Sequence, residues 1–140
     1  MKTIVLVTGG FDPLHSGHIE YFKYAKSLGD ELWVGLNSDE WLTRKKGRPF
    51  MPFNERLAVV QNLFMVDTVL DFDDTDGSAS GAIFKTKSIA GIDTKIIFAN
   101  GGDRTNSNIP ELVMYGDDPQ VSFVFGVGGE DKKNSSSWIL

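Results

Sequence analysis

The feature that most limits how this chain can fold is the alternation of short apolar runs, rich in β-branched residues, with segments of helical period. Five runs are predicted to be strands, over residues 3–8, 31–36, 68–72, 95–99 and 121–125. Strands that alternate with helical segments in this way are typical of βαβ units. The sequence therefore predicts an α/β fold, with a five-stranded parallel sheet that carries helices on both faces.

The predicted helices lie between these strands. The first covers residues 18–28, where Ile19, Phe22 and Ala25 recur at helical spacing and Gly29 supplies a left-handed end. A second helix is predicted from Asn54 as its N-cap to about residue 64, and a third over residues 78–90. A chain of 140 residues with 41% apolar content has material for one core, so residues 1–140 are predicted to form a single domain.

Composition excludes several classes of protein. The chain contains no cysteine, which rules out disulfides, thiolate metal sites and thiol nucleophiles. Its net charge of -5 argues against general binding to nucleic acid or to anionic membranes. The apolar run near Met1 is too short for a secretory signal, and no later run is long enough to cross a bilayer. We expect a cytoplasmic protein.

The most informative segment follows the first predicted strand, where ligands collect in an open parallel sheet. Residues 9–18 read Gly-Gly-Phe-Asp-Pro-Leu-His-Ser-Gly-His. The paired glycines let the backbone approach a ligand closely, and His15 and His18 fall one helical turn apart at the start of a helix. A helix N-terminus attracts anions, and imidazoles donate hydrogen bonds to growing charge. The segment therefore suits a triphosphate.

A metal site is the rival interpretation of the histidine pair. The chain has only two histidines, and no carboxylate lies at a supporting spacing. We therefore predict that His15 and His18 do not bind zinc and that the protein has no metal ligands of its own.

The segment over residues 9–18 resembles the His-x-Gly-His signature of the cytidylyltransferase-like nucleotidyltransferase superfamily. Further segments are similar to that family in the same order along the chain, at residues 36–40, 46–49, 54–56, 99–103 and 133–137. The resemblance implies a Rossmann-like fold and direct transfer of a nucleoside monophosphate from CTP or ATP to a phosphorylated small molecule, with release of pyrophosphate. Relatives include the glycerol-3-phosphate cytidylyltransferases and the heptose-1-phosphate adenylyltransferases.

The same resemblance implies a role for each residue of the candidate site. The catalytic residues it implies are His15, His18 and a mobile basic-loop lysine, Lys46. Nucleotide-binding residues are expected at Gly9, Gly10, Phe11, Gly17, Arg56, Gly102, Asp103, Ser135, Ser136 and Ser137. Acceptor-binding residues are expected at Asp12 and Arg48. The resemblance also implies Mg²⁺ that arrives with the triphosphate, and a homodimer.

Structural alternatives stay open for several of these residues. The basic loop that holds Lys46 and Arg48 is also typical of a solvated surface, and Arg56 of a surface salt bridge. Residues 102–103 equally suit a tight turn, and residues 135–137 a flexible tail.

Two features leave the activity itself open. Gly10 stands where many relatives have threonine, and the Ser-rich run differs from that of the glycerol-phosphate enzymes. The sequence therefore does not decide whether the nucleotide is CTP or ATP. The other candidate is a nucleotide-binding sensor without catalytic activity. A dinucleotide-dependent oxidoreductase is disfavoured because the first loop lacks Gly-x-Gly-x-x-Gly.

Overall fold

The computed structural model of the protein describes residues 1–101 and 109–128. Strands and helices alternate through most of this part of the chain. In order they are β1 (Lys2–Gly9), α1 (Ser16–Lys26), β2 (Glu31–Leu36), α2 (Asp39–Lys46), α3 (Phe53–Gln61), β3 (Thr68–Asp71), α4 (Ser80–Ala90), β4 (Thr94–Ala99), α5 (Glu111–Tyr115) and β5 (Val121–Val124).

The five strands form one parallel sheet in the order β3-β2-β1-β4-β5. This confirms the predicted α/β, Rossmann-like architecture. The chain winds outward from β1 in both directions, so the order reverses between β1 and β4. In sheets of this kind the carboxyl ends of the strands at such a reversal form a crevice in which ligands bind.

Helices cover both faces of the sheet because successive strand residues point to opposite sides. In β1, Ile4 and Leu6 pack into one core together with residues of α4 and α5. Val5 and Val7 point the other way, into a second core that includes residues of α1 and α3. All four of these β1 side chains are fully buried. Strand β1 is thereby fixed at the centre of the molecule, and the loop that follows it starts from a rigid point.

Part of the basic segment that was predicted to be a loop is helical, since Lys46 ends α2, whereas Arg48 and Pro49 lie in the loop after it. Helix α2 begins after Ser38, whose Oγ accepts a hydrogen bond from the backbone N of Trp41 at 3.0 Å. Its first turn is acidic and its last turn, residues 44–46, is basic, which complements the helix dipole at both ends. The helix ends at Gly47, which has a φ of 95°. The prediction was wrong for Lys46 because it considered the charge of this segment and gave the caps of α2 too little weight.

Smaller differences concern where the other helices begin and end. Helix α1 begins at Ser16, earlier than predicted, because His15 serves as its N-cap. Helix α3 begins after Pro52 rather than after Asn54, and it ends at Gln61. The short helix α5 was not predicted. Within residues 1–101 and 109–128, no helix has the length and apolar character needed to span a bilayer.

Candidate active site

The loop after β1 turns sharply over its own strand end. Gly9 closes the strand, and Phe11 adopts a positive φ of 50° that folds its ring back over Gly9. A Cβ atom on Gly9 would lie 2.9 Å from the Phe11 ring, and one on Gly10 would lie 2.8 Å from the Leu42 side chain. The Phe11 ring therefore leaves no room for a side chain at Gly9, whereas a side chain at Gly10 would require only the end of Leu42 to move.

Phe11 supports the histidine pair from the side of the core. Its ring is 7% exposed and meets the rings of His18 and Phe22 edge to face, each at a centroid distance of 5.0 Å. Phe11 was predicted to bind nucleotide, and the structure places it as the packing partner of His18. A contact of Phe11 with nucleotide stays a prediction.

The two histidines lie together at the N-terminus of α1. The backbone N of Gly17 donates to Nδ1 of His15 at 3.1 Å, and the backbone N of His15 donates to Nδ1 of His18 at 3.2 Å. These reciprocal bonds form a capping box in which both side-chain acceptors are imidazoles. The rings stack with centroids 3.8 Å apart and planes inclined by 25°. The structure thus brings the predicted catalytic pair into contact.

The cap also determines which ring nitrogen carries the proton. Because each Nδ1 accepts a backbone hydrogen bond, a neutral ring must hold its proton on Nε2. Among the residues that the structure describes, the buried Nε2 atom of His15 has no hydrogen-bond partner. A buried donor left in this state costs about 1–3 kcal/mol. An oxygen of a bound phosphate is an acceptor that would satisfy it.

Both imidazoles are neutral at pH 7. Burial lowers the pKa of His15. Burial, with a smaller contribution from the nearby His15, lowers the pKa of His18 to about 3. The pair therefore acts through N–H donors rather than through a positive charge.

The lowered pKa of His18 makes the protein less stable in mild acid. In the unfolded chain a histidine takes up a proton as the pH falls through 6.5, while His18 in the folded protein does so only near pH 3. The unfolded state therefore binds more protons between these values, and stability falls as the pH falls through this window and is unaffected above it. At pH 5 the loss is about 2 kcal/mol.

We expect His18→Asn to reduce this pH dependence, because asparagine keeps an acceptor for the backbone N of His15 but does not titrate. Denaturant unfolding at pH 7, 6 and 5 measures the difference. Lys23→Ala, an exposed change on the same helix, is the control and is expected to keep the pH dependence of the unaltered chain. An unchanged slope for His18→Asn would contradict the assignment.

Asp12 and Lys46 form an ion pair beside this loop. Nζ of Lys46 lies 2.8 Å from Oδ2 of Asp12 and also donates to the Asp12 backbone O at 2.7 Å. The carboxylate accepts two further bonds of 2.6 Å, from the backbone N atoms of Phe50 and Met51. Burial raises the pKa of Asp12, but the hydrogen bonds from Lys46, Phe50 and Met51 outweigh it, so the pKa is lowered overall. Asp12 is therefore an ionised, buried anchor for the segment between α2 and α3.

Arg56 joins the loops that follow β1 and β2. Its guanidinium donates to three backbone carbonyls, those of Met51 at 3.0 Å, Gly10 at 3.0 Å and Asn37 at 2.8 Å. It also pairs with Oδ1 of Asp39 at 2.7 Å, and its side chain is 0% exposed. In this conformation Arg56 presents no open fork to a phosphate, and it is not the surface ion pair of the alternative prediction. Its role as a nucleotide ligand stays a prediction.

Sequence reasoning missed the polar contact that holds the loop after β2. The carboxylate of Asp74 is buried and accepts from Nδ2 of Asn37 at 3.0 Å and from the backbone N and Oγ of Ser38, both at 2.8 Å. Asp74 belongs to an acidic stretch that reads as a surface turn. Nothing local distinguishes it from its exposed neighbours.

Tyr21 was also missed, although it lies one turn after His18 on α1. Its hydroxyl donates to the backbone O of Ala99, the last residue of β4, at 2.6 Å. A Cβ atom on Gly101 would lie 3.3 Å from the Tyr21 ring, and one on Gly128 would lie 3.0 Å from its Cα. The loops after β4 and β5 therefore both pack against Tyr21.

The remaining predicted residues are placed as follows. Gly17 lies in the first turn of α1, and Arg48 is exposed between α2 and α3. Lys46 lies in the last turn of α2 rather than in a loop. Gly102, Asp103, Ser135, Ser136 and Ser137 lie outside the described residues. Within residues 1–101 and 109–128, no three His, Asp or Glu side chains gather where they could hold a metal ion.

The parallel sheet, its reversal at β1 and the paired imidazoles on the first crossover together define a nucleotidyltransferase domain. Residues 6–124 match the sequence profile of the Cytidylyltransferase-like family, and the chain belongs to that family.

Curated relatives show the same similarity. The bifunctional protein HldE of Actinobacillus succinogenes is 39% identical over 115 residues, and that of Haemophilus influenzae strain PittEE is 41% identical over the same length. Each match covers 73% of this chain and 24% of the relative. The chain thus spans about a quarter of the length of these curated relatives.

Solved structures resemble the whole fold. The lipopolysaccharide core biosynthesis protein from Thermoplasma volcanium has a TM-score of 0.71 and 29% identity, and the match covers 94% of this chain and 100% of that one. A bifunctional NMN adenylyltransferase/ADP ribose pyrophosphatase from Francisella tularensis has a TM-score of 0.68 at 14% identity, over 99% of this chain and 40% of that one. The second similarity concerns the fold alone.

Proposed function

We propose that this domain transfers a nucleoside monophosphate from CTP or ATP to a phosphorylated small alcohol or sugar phosphate and releases pyrophosphate. The observation that carries the proposal is the stacked pair of imidazoles at the N-terminus of α1, whose Nδ1 atoms accept backbone N–H bonds, so that the proton of each neutral ring is on Nε2. Donors fixed in advance where negative charge develops are the main way in which enzymes stabilise such transition states.

The reaction needs no nucleophile from the protein. An oxygen of the acceptor phosphate attacks the α-phosphorus in line, a new phosphorus–oxygen bond forms, and the bond to the bridging oxygen breaks as pyrophosphate leaves with its electron pair. The two Nε2–H groups of His15 and His18 donate to the oxygens on which charge accumulates. The role of the protein is to align the acceptor phosphate with the triphosphate and to stabilise the negative charge that moves onto pyrophosphate.

Two cations, one in the last turn of α2 and one just after it, supply the rest of the electrostatic support. Lys46 neutralises triphosphate charge, and the exposed Arg48 meets the acceptor phosphate. Magnesium accompanies the triphosphate, where it offsets phosphate charge. The described residues fit such a transient ion better than a resident one, because they contain no carboxylate cage and Mg²⁺ keeps most of its ligands as phosphate oxygens and water.

Among the substrates, ATP and a phosphorylated sugar are the first choice. The loop at Arg48 and Pro49 resembles that of the heptose-phosphate adenylyltransferases. The structural neighbour from Thermoplasma volcanium takes part, by its name, in synthesis of the lipopolysaccharide core, which is a saccharide. CTP with an alcohol phosphate is the second choice.

The expected assembly is a homodimer, which sedimentation of the purified chain would test.

A matrix of the four nucleoside triphosphates against sugar 1-phosphates and alcohol phosphates tests the proposal. We expect pyrophosphate to appear only when one triphosphate and one acceptor are present together, in a one-to-one ratio with the nucleotidylated product. Mass spectrometry of the product identifies both substrates. Each triphosphate without acceptor is the control for simple hydrolysis.

Two results would contradict the proposal. Nucleotide binding without pyrophosphate release from any pair would favour the inactive sensor module. Pyrophosphate release that does not depend on the acceptor would indicate a hydrolase.

A further inference from the structure

Both oxygens of the Asp12 carboxylate accept hydrogen bonds from donors of the protein itself. Its side chain is 1% exposed, and its two oxygens accept from Lys46, Phe50 and Met51 at 2.6–2.8 Å. A carboxylate in this position would also repel an acceptor phosphate. Asp12 therefore suits a contact with Lys46 better than a contact with the acceptor.

Lys46 is held at two points by the same residue. Its ammonium, which has three N–H donors, gives one bond to the backbone O of Asp12 and pairs with Oδ2. The Lys46 side chain is still 25% exposed, so the amine is held by the protein and remains accessible from solvent. Asp12 lies in the loop that leads to His15, and the pair thus ties the end of α2 to the loop that carries the imidazoles.

The geometry points to Asp12 as a positioning residue that acts through Lys46, fixing its ammonium beside the loop that leads to His15 and α1. This inference rests on the proposed function, in which Lys46 meets the triphosphate. A held cation loses less conformational freedom when the nucleotide binds, since the side chain of a lysine is otherwise highly mobile.

A double-mutant cycle on kcat/KM for the triphosphate tests the inference. The variants are Asp12→Asn, Lys46→Met and the combination. We expect each single variant to lose about tenfold or more, and the double variant to fall within about twofold of Lys46→Met, because whatever Asp12 contributes through the ammonium is already lost in Lys46→Met. Asp12→Glu, which keeps the charge, is expected to recover part of the loss.

Two outcomes of the cycle would overturn the inference. Losses that multiply in the double variant would show that Asp12 acts independently of Lys46. A rise confined to the acceptor KM in Asp12→Asn, with the triphosphate parameters unchanged, would return Asp12 to the acceptor site.

A measurement on the unaltered chain covers the case in which Asp12→Asn does not fold. In a sample with ¹⁵N-labelled lysine at low temperature, we expect a resolved NMR signal from the Lys46 ammonium, because its bonds to Asp12 slow the exchange of its protons with water. The absence of this signal in Lys46→Met assigns it. We expect this signal without nucleotide and a shift of it with a non-hydrolysable triphosphate. An averaged signal at the position of free lysine would overturn the inference.

The two proposals fail differently. If the unaltered chain releases no pyrophosphate with any substrate pair, the proposed function fails, whereas the NMR signal still reports the contact between Asp12 and Lys46. If the chain is active and the cycle is multiplicative, only the positioning role fails.

Discussion

His15→Asn is expected to lower turnover roughly a hundredfold or more while leaving the fold and its stability at pH 7 nearly unchanged. The two effects separate because asparagine is a preferred N-cap and keeps an acceptor for the backbone N of Gly17. It loses the Nε2–H donor, and the removal of one such donor from a transition-state site costs about two to three orders of magnitude. His18→Asn is expected to behave in the same way.

Steady-state kinetics with saturating triphosphate and acceptor measure this effect, and denaturant unfolding of the same preparations monitors the cap. Lys23→Ala, an exposed change on the same helix, is the matched control and is expected to keep full turnover. Turnover near that of the unaltered chain in both histidine variants would remove the basis of the proposed mechanism.

Arg56→Met is expected to lower the free energy of unfolding by about 3 kcal/mol. Methionine fills part of the space but donates no hydrogen bond, so the carbonyls of Gly10, Asn37 and Met51 lose a buried partner. Asp39 is 39% exposed and can turn to water, and for this reason we place the cost at the lower end of the range for a broken buried ion pair.

Arg44→Met is the control for this prediction. Arg44 is exposed and donates to the backbone O of Asp74 at 2.9 Å, so its loss is expected to cost about 1 kcal/mol or less. Denaturant midpoints and slopes for both variants give the comparison. A cost for Arg56→Met as small as that for Arg44→Met would show that the guanidinium is not the joint between the two loops.

The fold and the histidine pair were predictable because their signals are local. Strand β1 contains the apolar run at residues 4–7, and the glycines and histidines that follow this run all lie within residues 9–18. The same applies to α2, whose cap at Ser38 and end at Gly47 were present in the sequence but were given too little weight.

The polar contacts around the site were not predictable in the same way. Asp12 meets Phe50 and Met51 across 38 and 39 positions, and Arg56 meets the carbonyl of Gly10 across 46. Such pairs exist only once the ends of β1 and β2 lie side by side. A sequence pattern shows that an arginine is present, but not that its donors face inward.

The hydrogen bond from Tyr21 to Ala99 has a mechanical consequence for the sheet. Helix α1 carries His18 and, one turn later, Tyr21, whose hydroxyl donates to the backbone O of the last residue of β4. Helix α1 packs against β1 and β2, and this bond also joins it to β4 on the other side of β1. The two halves of the sheet therefore cannot separate at this end unless the bond breaks.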